Sequence, residues 1–153
     1  MNDYETKPDF YSGVPWVYVP PEQARAHPKG KLNLILALIA GYFIAIGVLK
    51  FGLALSYGTG LPTAILNGIW PLLTGIGLAM RVPWSILMAC VSAGLTVYAL
   101  LRGFGEAGSL VILLETIANV GILFYLIDGD RPNFVYRHRY RKYSVEAGQD
   151  SDD

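Results

Sequence analysis

Charge is what the middle of this chain lacks. Between Leu32 and Ile127 only Lys50, Arg81, Arg102, Glu106 and Glu115 carry it. Uncharged runs this long do not fit the surface of a soluble domain, and they match the thickness of a bilayer. Cysteine is nearly absent as well. Cys90 stands alone in an apolar run, which excludes a disulfide framework and leaves a thiolate metal site without ligands. The two histidines, His27 and His138, lie outside the apolar block, so a haem held between transmembrane histidines is excluded. There is no zinc-binding helix signature, nucleophile elbow, phosphate-binding glycine loop or paired-cysteine motif. The expectation is a protein without catalysis of its own, without a metal and without a cofactor.

What is present is apolar. The chain has 153 residues, 53% of them hydrophobic, and a formal net charge of zero, so overall charge says nothing about partners. Three regions follow from composition. Residues 1–31 form an aromatic, proline-rich tail. Residues 32–127 form the membrane domain, and residues 128–153 form a basic-aromatic tail with an acidic end. The start, MNDYETKPDF, is polar and acidic, and the expectation is that the first span serves as an uncleaved insertion signal.

Breakers divide the apolar block into four spans, at about 32–55, 62–80, 84–101 and 107–127. Leu32 to Leu49 holds no charge and would rise about 27 Å as a helix, close to the hydrocarbon thickness. Gly58, Gly60 and Pro62 mark the first turn. Pro71 lies inside span two, where it removes a backbone hydrogen bond and predicts a kink near Asn67. Arg81, Val82 and Pro83 make a short turn, and RGFGEAG joins spans three and four. Asp128 and Gly129 stop span four, with Gly129 expected as a C-terminal cap. Two stripes of small residues, Ala37–Gly41–Ala45 and Ser85–Ala89–Ala93, predict faces where helices approach closely. The fold class is therefore all-α: a four-transmembrane-helix bundle with short loops.

Basic residues set the topology. Lys7, Arg25, Lys29 and Lys31 precede the spans, and Arg131, Arg137, Arg139, Arg141 and Lys142 follow them. Four spans put both tails on one side together with Arg81, and the positive-inside rule makes that side cytoplasmic. The expected location is a bacterial inner (cell) membrane, N-in and C-in.

One acid lies deep. Glu115 is eight residues into span four, about 12 Å below its outer end. An intramembrane acid is costly and faces a partner or a cavity. Asn119 follows one turn later on the same face. Lys50, counted back from Tyr57, lies about 10 Å below the same outer surface. Lys50 and Glu115 are therefore expected to face each other, with Asn119 or Asn67 completing the hydrogen bonds.

In the tails, Arg137, Arg139, Arg141 and Lys142 suit anionic lipid headgroups, and so short a juxtamembrane segment does not suit nucleic acid. The stretch NFVYRHRYRKY reads equally as helix or strand. Phe10, Tyr11, Trp16 and Tyr18 would be poorly placed in water; the membrane interface, the C-terminal tail or a partner could cover them. The expected role is an accessory or assembly subunit of a larger membrane complex, with the bilayer and other membrane subunits, or further copies of itself, as partners. The alternative is a small oligomeric transporter or channel that uses Glu115 for proton or cation coupling.

Overall fold

A computed structural model describes residues 6–8, 15–105 and 108–141. In chain order the elements are β1 (Thr6–Pro8), β2 (Pro15–Tyr18), α1 (Pro21–Ala26), α2 (Leu34–Tyr57), α3 (Leu61–Ala64), α4 (Trp70–Ala79), α5 (Trp84–Arg102), α6 (Ser109–Asp128), α7 (Asp130–Arg137) and β3 (Arg139–Arg141). A 3-10 turn occupies Pro28–Gly30 and a π-helical turn occupies Ile65–Ile69. The chain divides into two compact units: a terminal unit of Met1–Lys31 with Asp128–Asp153, and a helical unit of Leu32–Ile127.

Four helical stretches are long and apolar enough to cross a membrane: Pro28–Tyr57, Leu61–Ala79, Trp84–Arg102 and Ser109–Asp128. Local chemistry sets their ends. Asn33 caps α2, its Oδ1 accepting from Leu36 N at 3.0 Å, so the regular helix starts at Leu34 rather than Leu32. Gly58, at φ 61°, closes the same helix with Thr59 N donating to Ala54 O and Gly58 N to Leu55 O. That closure is a Schellman motif, and it carries α2 two residues past Leu55. Arg81 plays the same left-handed part after α4, at φ 58°, with Val82 N donating to Gly77 O and Arg81 N to Leu78 O. This is how so short a turn reverses the chain.

The second span is three pieces. α3, the π-helical turn and α4 follow one another without a loop. Pro71 stands in the first turn of α4, just after the wide turn centred on Asn67. Trp70 N donates back to Ile65 O, the wider spacing. Pro71 has no N–H to continue the ladder, so the preceding turn keeps a carbonyl without its helical donor.

α2 and the second span pack backbone to backbone. A Cβ on Gly47 would fall 2.5 Å from Leu72 N, on Gly68 2.6 Å from Phe51 Cβ, and on Gly75 2.7 Å from Ala40 O. Hydrogen is the only side chain these three positions admit. The stripe Ser85–Ala89–Ala93 is buried along α5, as its spacing predicts. The stripe Ala37–Gly41–Ala45 is exposed, and nothing would meet a Cβ on Gly41. The adjacent face, with Ala40, Phe43 and Gly47, makes the close approach instead. Small residues permit an approach on either face; which face uses it depends on the partner helix.

The terminal unit corrects the all-helical expectation. Strands β1, β2 and β3 form an antiparallel sheet in that order, with Trp16 opposite Arg141, Val17 opposite Tyr140 and Tyr18 opposite Arg139. Within NFVYRHRYRKY, residues 133–141 are helix first and strand after, turning at His138, whose φ is 52°. Gly129 is not the left-handed cap of α6: at φ −62° and ψ 134° it is extended and precedes α7.

Candidate functional site

α2 and α6 bring the intramembrane polar residues together. Lys50 Nζ donates to Glu115 Oε1 at 2.5 Å. Their side chains keep 29% and 14% of their exposure, so the pair is shielded but not sealed. The pair borders a cavity of about 310 Å³ whose walls come from α2, the π-helical turn with α4, α5 and α6. Asn119 and Asn67 both line it.

Neither asparagine completes the hydrogen bonds of the pair. Asn67 Nδ2 donates to Thr63 O at 3.2 Å, on its own helix. Asn119 is 3% exposed and its Oδ1 is buried without a hydrogen-bond partner. Tyr42, eight residues before Lys50, also has a buried hydroxyl without a partner. A buried polar atom left unpaired costs about 1–3 kcal/mol, so two such atoms in one helical unit are notable.

Other wall residues spend their hydrogens on backbone. Ser92 Oγ and Trp70 Nε1 donate to Met88 O at 3.0 and 3.2 Å, and Thr96 Oγ1 donates to Ala93 O at 3.0 Å. Thr116 Oγ1, shared between Ile112 O and Thr96 O, ties α6 to α5 at 3.2 Å. α6 is thereby held through polar contacts to α2 and α5, while only 17% of its most apolar stretch is buried. Sequence reasoning missed Trp70, Ser92, Thr96 and Thr116. Ser92 and Thr96 are one turn apart on α5 and lie on its buried face. Thr116 sits beside Glu115, and that adjacency was the available signal.

The tail arginines are used inside the terminal unit. Asn133 is fully buried; its Nδ2 donates to Gly129 O at 2.9 Å, and its Oδ1 accepts from Arg137 Nη1 at 3.3 Å and Arg139 Nε at 3.1 Å. Arg139 and Arg141 both stack on Trp16, their guanidinium carbons 4.2 and 5.2 Å from a ring centroid. Arg141 pairs with Asp128 and, at 3.7 Å, with Asp130. Burial lowers the Arg137 pKa, and the neighbouring Arg139 lowers it further. Burial likewise lowers that of His138, with Arg25 adding to the effect. Lys142 lies outside the described residues. DGDRPN followed by YRHRYR is accordingly a local folding unit built on Asn133.

Among the described residues, no three of His, Cys, Asp and Glu come together in a way that could hold a metal ion. No protein-family model, curated protein or solved structure matches the chain.

Proposed function

We propose that this protein is a non-catalytic accessory or assembly subunit of a larger complex in a bacterial inner membrane. One observation carries the reading. The deep acid is not free: Glu115 is bound by Lys50, and the pair joins α6 to α2. A mutually neutralised pair at helix-to-helix contact acts first as a fixing device for packing. The sparse burial of α6 adds to this, since a helix held by few contacts leaves much of its surface for other membrane proteins. The pairing of β2 from one tail with β3 from the other supports both tails lying on one side, and the basic residues of both tails favour the cytoplasmic side. Arg137, Arg139, Arg141 and Lys142 remain the proposed lipid-headgroup contacts, secondary for the three arginines to their internal bonds.

Mild-detergent purification of the tagged chain from its native membrane tests the reading. Stoichiometric membrane partners support it, and a clean homo-oligomer overturns it.

A second reading, a small oligomeric transporter or channel, is favoured by the cavity beside Glu115 and by the π-helical turn in its wall. Glu115→Gln in reconstituted vesicles separates the two. Loss of proton or cation flux that the wild type carries supports transport; no flux in either protein removes it.

A further inference from the structure

The chemistry of the cavity wall points to a ligand class, whichever reading of the whole protein holds. Most hydroxyl and ring donors in this wall are already engaged. Ser92 Oγ, Thr96 Oγ1 and Trp70 Nε1 donate to backbone carbonyls, and so does one hydrogen of Asn67 Nδ2. What remains is mostly acceptor capacity: the second Glu115 oxygen, the unpaired Asn119 Oδ1 and the lone pairs of Ser92 and Thr96. The carbonyl freed by Pro71 belongs to Leu66 or Asn67, both wall residues. Beside the amide hydrogens left on Asn119 and Asn67, Lys50 is the one charged donor of the wall. Its ammonium has three N–H donors, of which Glu115 takes one.

Charge narrows the class further. Lys50 and Glu115 cancel. A cationic ligand reaching Glu115 would meet Lys50, and an anion reaching Lys50 would meet Glu115. Both are costly where water does not screen. The rest of the wall is apolar or aromatic, with Phe43, Leu66, Trp70 and Leu95 among it. A volume of about 310 Å³ is at the small end of ligand sites.

We propose that this cavity binds a small neutral molecule with an apolar body and a hydroxyl group, the hydroxyl accepting from Lys50 and donating to Glu115 or a wall carbonyl. A hydroxyl is the simplest neutral group that does both. Two routes lead in. The Lys50 and Glu115 side chains keep part of their exposure on helices long and apolar enough to cross a membrane, so the site is open toward the lipid phase. A second cavity of about 500 Å³ shares Leu66, Asn67, Leu95 and Ala99 and reaches Arg102 and Gly103 at the end of α5, toward water. The ligand thus comes from the lipid phase or from the aqueous phase, with one shared recognition chemistry.

Photolabelling of the full chain in nanodiscs with a diazirine-bearing octanol tests this. Adducts are mapped by mass spectrometry with octanol, butanol or methyl octyl ether as competitor. The expected result is saturable labelling of wall residues such as Leu66 and Leu95, suppressed by octanol. The ether accepts but cannot donate, and should compete about tenfold less well, the worth of one hydrogen bond. Competition by octanol and by the water-soluble butanol that follows their concentration in water assigns the aqueous source, and competition that follows their concentration in the bilayer assigns the lipid source. Equal competition by ether and octanol overturns the proposal, as does unsaturable labelling spread over exposed residues such as Leu114 and Ile117. Filling the cavity with Leu95→Trp, or with the milder Ala99→Leu if the first fails to fold, should abolish the saturable adduct; the wild-type competition stands without either variant.

Discussion

Lys50 and Glu115 concentrate the energetic risk of the helical unit in two side chains. Lys50→Met or Glu115→Gln alone should destabilise it by about 3 kcal/mol, because the remaining charge is left shielded and unpaired. The double variant should recover most of that loss, since both charges leave together. Unfolding in detergent micelles, followed for all four proteins, measures the coupling; strictly additive losses would mean that the pair does not interact. His138 makes a separate prediction for the terminal unit. Its folded-state pKa lies below the ordinary 6.5, through burial and then Arg25. The unfolded chain therefore takes up the proton first as pH falls. Stability is fully present above 6.5 and declines as pH drops from there through the lowered folded value. Trp16, 4% exposed in that unit, should report the loss by fluorescence, and His138→Gln should flatten the profile.

At the scale of elements, the helical unit rests on one close seam and one loose one. The seam between α2 and the second span needs glycine at Gly47, Gly68 and Gly75. Gly75→Leu should cost about 1–3 kcal/mol or more, because the clash is with the Ala40 carbonyl and Ile44 backbone, which cannot rotate away. Gly52→Ala and Gly94→Ala should be tolerated, since nothing lies within 4 Å of either added carbon. Equal thermal shifts for all three variants would contradict this assignment of the seam. α6 is the loose element. Its side-chain bonds to α2 and α5 are an ion pair and a threonine bond, and its inner face forms one wall of the cavity.

For the whole molecule, the testable matter is sidedness. In a Cys90→Ser background, Thr59→Cys, in the turn after α2, should react with an impermeant maleimide from outside intact cells. Lys29→Cys should react only after permeabilisation. The reverse pattern would invert the topology and leave the sheet pairing of the tails intact, so the experiment addresses orientation alone. Partner capture addresses the rest of the proposed function.

Four helices long and apolar enough to cross a membrane, and the shared level of Lys50 and Glu115, were readable from the chain, for one physical reason. A bilayer demands apolar helices of set length, and a helix rises by a set distance per residue, so counting is enough to put Lys50 and Glu115 at one depth. Gly58 and Pro71 announced local events for similar reasons, being short-range chemistry written at single positions. Tertiary structure decided what counting cannot reach. It chose Ala40 and Gly47 over Gly41 as the contact face of α2, left Asn119 Oδ1 unpaired, and opened a cavity where four helices meet imperfectly. It also drew Trp16 and Arg141, far apart in sequence, into one sheet. Rotation of a helix about its axis and pairing between distant strands depend on how surfaces fit in three dimensions, and no periodicity along one segment encodes the shape of its neighbour.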